Sequence, residues 1–139
     1  MKQLLVILLF VGLFSCDDTV DDNQLLPYKL VDFEVNLNLS EATNLNFNGG
    51  QETFLNQGLR GILIIRRSET VFDAFEMACP HITLQDCSKM TFDSLFMTCP
   101  CDGERFQLIN DGIAENGDIT ETLRNYRVIR NGNILRVTN

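Results

Sequence analysis

Between Cys79 and Phe106 the chain sets Cys79-Pro80-His81 against Cys99-Pro100-Cys101-Asp102-Gly103, with seventeen residues between the two motifs. Four of the five cysteines and the only histidine fall within these twenty-eight residues. Cysteines spent on packing scatter through a core and do not crowd in this way. Two short motifs carrying Cys and His read as two loops that converge on a metal site. Everything else in the chain reads as scaffold or address label.

The ends of the chain read as address and tether. Met1-Lys2-Gln3 leads into an apolar run from Leu4 to Phe14 that stops at Ser15-Cys16. A short apolar segment with a basic start and a small residue at its end is a secretion signal. As a helix at about 1.5 Å per residue it is too short for a hydrocarbon core of about 30 Å, which argues against a transmembrane anchor. Leu13-Phe14-Ser15-Cys16 resembles a bacterial lipobox, with Phe14 bulkier than the usual occupant, so Cys16 is the expected lipidation site. The modification that the resemblance implies adds more than one acyl chain, enough for stable anchoring. The acidic run from Asp17 to Asn23 cannot pack and reads as a flexible tether; it resembles a surface-sorting signal and equally a solvated spacer. The expected division is a signal peptide over 1–15, an acidic tether over 16–26 and one domain over 27–139. The expected location is the bacterial cell envelope, on a membrane through the lipid, at the periplasmic face or the cell surface.

The formal net charge of the whole chain is −8, and loss of Lys2 with the signal makes it −9. That balance gives no footprint for nucleic acid, which needs clustered Lys and Arg. Export also places the remaining cysteines in an oxidising compartment, where they pair unless a metal claims them. Four cysteines allow three pairings, and their order along the chain leaves all three open.

The rest of the chain reads as strand. Val31, Phe33, Val35, Leu37 and Leu39 alternate with Asp32, Glu34, Asn36 and Asn38, the period of a half-buried strand. The Asn-rich segment that follows, closing at Gly49-Gly50, has no period and reads as loop. Gly61 to Ile65 reads as a strand buried on both faces, and Val71 to Ala78 as another after a turn at Arg66–Thr70. Phe106 to Ile109 is a short strand ended by Asn110-Asp111-Gly112. Tyr126 to Arg130 and Ile134 to Val137 flank Asn131-Gly132-Asn133, a hairpin signal. Phe33, Phe54, Phe72, Phe75, Phe92 and Phe96 are core candidates. With no amphipathic helix of three turns after residue 16, the expectation is a single small all-β antiparallel domain.

The two motifs, read on through Glu104-Arg105-Phe106, resemble the cluster-binding loops of the Rieske iron–sulfur family. Gly112, Leu123, Tyr126, Val128, Gly132 and Leu135-Arg136-Val137 resemble that family's C-terminal strands. The resemblance covers about Gly61 to the end and implies a small antiparallel β-sandwich or barrel with two cluster-binding loops. It further implies a [2Fe–2S] cluster in which Cys79 and Cys99 hold one iron and His81 the other. Asp102 stands where the family has its second histidine. Its carboxylate oxygen lies two bonds beyond Cβ, as an imidazole Nδ1 does, so it is the candidate fourth ligand. A carboxylate beside the iron favours the ferric state, and Glu104 and Phe106 stand where high-potential members carry hydroxyl donors. Both departures imply a low potential. The resemblance also implies a Cys87–Cys101 disulfide clamping the loops, although Cys87 comes later than the family spacing. The implied role is an electron carrier with an unidentified redox or envelope protein as partner, not an enzyme by itself.

Two other readings of the same residues stand beside this one. Asp102 can mark a degenerate scaffold without iron, in which Cys79 and Cys99 close as a second disulfide and the domain serves as an interaction module. Alternatively, Cys79, His81, Cys99 and Asp102 are four ligands of types that zinc accepts.

Overall fold

The computed structural model describes residues 25–139. The expected signal peptide, Cys16 and the acidic run to Asn23 lie outside the described residues. Among those described are β1 (Asp32–Asn36), β2 (Gln51–Phe54), β3 (Ile62–Arg66), β4 (Phe72–Glu76), β5 (Thr91–Phe92), β6 (Phe96–Thr98), β7 (Arg105–Gln107), β8 (Asn125–Asn131) and β9 (Ile134–Thr138). Short 3-10 turns occupy Ser40–Asn46 and Asp86–Ser88. The architecture is all-β, and every strand pairing is antiparallel.

A six-stranded sheet runs in the order β1-β9-β8-β4-β3-β2, and a three-stranded sheet in the order β5-β6-β7. The Asn131-Gly132-Asn133 turn forms the β8–β9 hairpin with Asn131 opposite Ile134. β9 then pairs with β1 through Phe33 opposite Val137, which ties the first strand to the last. The large sheet curls so that its two edge strands approach, and the Phe33 and Phe54 rings meet with centroids 5.7 Å apart.

The period of two along β3 divides the interior. Ile62 and Ile64 face one core with Val35, Leu45, Tyr126 and Leu135. Leu63 and Ile65 face the other with Phe75, Met97, Phe106 and both Cys79 and Cys99. β3 is thus buried on both faces, because the small sheet and its loops cover the side that the curled sheet leaves open. The second core is the one that carries the cysteine loops.

Several local expectations differ from the structure. The alternation over 31–39 continues past the strand: β1 ends at Asn36, while Leu37 stays buried and donates its N–H to the Asn133 carbonyl. The Asn-rich segment is not open loop but a 3-10 turn whose Ala42 and Leu45 plug the end of the first core. Phe92 is exposed rather than core, since the two-residue β5 lies at the edge of the small sheet.

Candidate metal centre

Loop 1 runs from the end of β4 to Met90 and is closed at its root by backbone bonds. The Met77 N–H donates to the Gly61 carbonyl at 2.8 Å, and Met90 N–H to the Met77 carbonyl at 2.7 Å. Cys79 N–H reaches the Ser88 carbonyl at 2.9 Å, and the buried Ser88 hydroxyl donates to the Gln85 carbonyl at 2.8 Å. Loop 2 is the tight connection between β6 and β7. Cys99 N–H donates to the Glu104 carbonyl and Gly103 N–H to the Cys99 carbonyl, each at 2.8 Å. Gly103 sits at φ +83°, a left-handed conformation that glycine takes at no steric cost.

These loops bring the expected residues together. Cys79 and Cys99 are fully buried and joined to each other, with Cα atoms 5.6 Å apart. Cys87 and Cys101 are joined at a Cα separation of 5.1 Å, on the more exposed side of the loops. Both separations lie within the range that a disulfide spans. The ligand atoms of Cys79, Cys99 and Cys101 lie within 4.8 Å of one another, as do those of His81, Cys99 and Asp102.

His81 lies across the gap between the loops. Its ring packs on Phe106 with centroids 5.4 Å apart, and its Nε2 is 2.6 Å from Asp102 Oδ2. An ionised carboxylate only accepts, so Nε2 carries the proton and donates, and in the neutral ring Nδ1 keeps a free lone pair. That Nδ1 is buried and has no hydrogen-bond partner. Asp102 Oδ1 accepts the Glu104 N–H at 3.0 Å. Partial burial pushes the Asp102 carboxyl upward, but the hydrogen bonds from the Glu104 N–H and from His81 outweigh it and hold it below the ordinary carboxylate range. Glu104 Oε1 accepts the Asn116 N–H at 3.1 Å, and the fully buried Phe106 ring packs against His81.

One polar element escapes the sequence reading. Glu76, at the end of β4 and three residues before Cys79, is fully buried. Its carboxylate accepts the N–H groups of Leu59 at 2.7 Å, Arg60 at 2.8 Å and Ala78 at 3.2 Å, and the Tyr126 hydroxyl at 2.7 Å. Burial first, then the hydrogen bond to Glu76 and its negative charge, raise the Tyr126 phenol far above its usual range. A Cβ on Gly58 would come within 2.4 Å of Glu76 Oε2, so the turn before β3 can close over the carboxylate only with glycine there. The sequence signal was a lone acid inside Phe75-Glu76-Met77-Ala78-Cys79, where every neighbour is apolar.

No family model matches this chain, and no curated protein matches it. Among solved structures, it is similar to the ferredoxin of carbazole 1,9a-dioxygenase from Nocardioides aromaticivorans IC177, at 19% identity over 66% of this chain and 86% of that one, with a TM-score of 0.44. It is also similar to the E. coli protein NirD, at 14% identity over 81% of this chain and 96% of that one, with a TM-score of 0.45. At such identities and scores, neither likeness assigns a cofactor, a ligand or a role to this chain.

Proposed function

We propose that this chain is a lipid-anchored electron-transfer module of the bacterial cell envelope whose two loops take up a [2Fe–2S] cluster. The observation that carries this reading is His81 Nδ1, a buried nitrogen with no hydrogen-bond partner, in a site whose other groups are the joined sulfurs of Cys79 and Cys99 and the carboxylate of Asp102. An unsatisfied buried polar atom costs about 1–3 kcal/mol, and a metal bond would remove that penalty. The donation from Nε2 to Asp102 is the kind of outer contact that fixes the tautomer of a ligating histidine.

Cys79 and Cys99 would hold one iron as thiolates, which requires their mutual bond to be reduced, and His81 would hold the other. Asp102 would complete the set through a carboxylate oxygen; at present Oδ2 accepts from His81 Nε2 and Oδ1 from the Glu104 N–H. The cluster supplies a one-electron carrier, and a carboxylate ligand without hydroxyl donors nearby makes it a low-potential one. The partner is an unidentified redox protein of the envelope, and the membrane is reached through Cys16.

A second reading is favoured by the Cys79–Cys99 bond itself, which uses up both thiolates. In that reading the domain is a doubly cross-linked scaffold that binds partners and carries no metal. Disulfide mapping separates the two. Freshly isolated anaerobic protein is unfolded in acid, alkylated without reductant and digested. The cluster reading expects Cys79 and Cys99 alkylated and Cys87 still linked to Cys101. Both pairs linked would sink it in favour of the metal-free scaffold.

A further inference from the structure

The first described residues enter the fold beside the metal loops. Leu26 is buried, and Arg124 donates to the Leu26 carbonyl at 2.7 Å and the Pro27 carbonyl at 2.8 Å. Leu25 and Leu26 line one cleft together with Leu123 and with Pro80, the residue between Cys79 and His81. From there the chain crosses the same end of the domain, where Lys29 Nζ donates to the Gly58 carbonyl. Arg60, two residues on, donates to Gln85 of loop 1 at 2.6 Å. Leu55 packs over Gly61, whose carbonyl closes the root of loop 1. The point of tethering and the candidate site therefore share one end of the molecule.

That end exposes several large apolar side chains to solvent. Tyr28 is 67% exposed and Leu30 73%, and Leu25, Leu55 and Leu84 are exposed as well. Eight residues lie between Cys16 and Leu25, nine Cα-to-Cα steps in all. Fully extended, they span about 30 Å. A lipid on Cys16 would keep this end within that distance of the bilayer.

Resting on the lipid-anchored reading, we infer that Leu25, Tyr28, Leu30, Leu55 and Leu84 form a membrane-contact face. It seats the domain on the lipid headgroup layer with the Cys79–His81 loop turned toward the bilayer. Apolar side chains with a tyrosine among them suit the headgroup boundary, where an aromatic ring keeps its body dry and its hydroxyl wet. Because the chain is strongly acidic, the contact is with acyl chains and neutral headgroups, not with anionic lipid through charge. The consequence is that a redox partner at or within the membrane meets the site directly, while a soluble partner has to approach from the side.

The chain has no tryptophan, so a single introduced one reports its own position. Tyr28→Trp probes the proposed face. Phe47→Trp is the comparison: it is also 67% exposed, but its loop bonds to Arg66 at the far end of β3. Full-length protein, with acylation verified by mass, is reconstituted into phosphatidylcholine vesicles carrying brominated acyl chains. The expected result is blue-shifted emission and several-fold stronger quenching for the residue-28 probe than for the residue-47 probe. Acylated protein with equal or negligible quenching at both positions overturns the face while leaving the anchor intact. A chain without acyl groups that stays off the vesicles overturns the anchor and the inference together.

Discussion

At the scale of single residues, the chain keeps two carboxylates for different tasks. Asp102 is partly exposed and sits on the ring of His81, whereas Glu76 is sealed in the interior with four donors around it. Removing Glu76 strands three backbone N–H groups and a tyrosine hydroxyl, each with a desolvation penalty of about 1–3 kcal/mol. Glu76→Ala is therefore expected to destabilise the fold by about 3 kcal/mol or more in urea unfolding, and Tyr126→Phe by about 1 kcal/mol. Equal small losses for the two variants would show that the carboxylate does not organise the root of loop 1. The sequence made the site residues visible because Cys and His are rare in this chain and were crowded. It left the His81–Asp102 contact and the Glu76 hub unseen, since both depend on pairings between distant strands and loops that no local period encodes.

At the scale of elements, the strands legible in the sequence were those with a period or explicit turn chemistry. β1, β3, β4, β8 and β9 carry alternating or continuous apolar runs, and the Asn-Gly-Asn turn sets the last hairpin. β2, β5 and β6 have two to four residues each, too few for a period to emerge, and they exist because neighbours offer them a ladder. The Cys87–Cys101 bond closes a segment of sequence separation 14, and a loop of that size gains about 3 kcal/mol from restricting the unfolded chain. The β1–β9 edge carries a testable charge. Arg136 donates to both Asp32 oxygens, at 2.9 and 2.8 Å, and this hydrogen bonding holds the Asp32 carboxyl below its ordinary value of 3.8. Since the folded state lowers this pKa, the stabilisation is fully present above the unfolded value and is lost as pH falls through the folded one. Asp32→Asn is expected to lower stability slightly at neutral pH and to bring the variant level with the parent below that window. Thermal melts at low salt would reveal it, and the difference should shrink as salt screens the exposed pair.

At the scale of the whole molecule, the curled sheet and the small sheet make two cores that share β3, and the cysteine loops are rooted in the second. The all-β class and the convergence of the two motifs were both legible in advance. The Cys87–Cys101 bond was expected too, whereas Cys79 closing on Cys99 stood only as the alternative, because the sequence allows thiolates on iron and a disulfide equally well at those two positions. That choice is what the proposed function turns on. It is decided by iron and acid-labile sulfide analysis, with electron paramagnetic resonance at low temperature, of protein isolated without oxygen. The electron-transfer account expects iron and sulfide in equal amounts and a signal that appears on reduction and is lost in His81→Ala. Protein without iron, without sulfide and without a signal, carrying both Cys79–Cys99 and Cys87–Cys101 bonds, would contradict it.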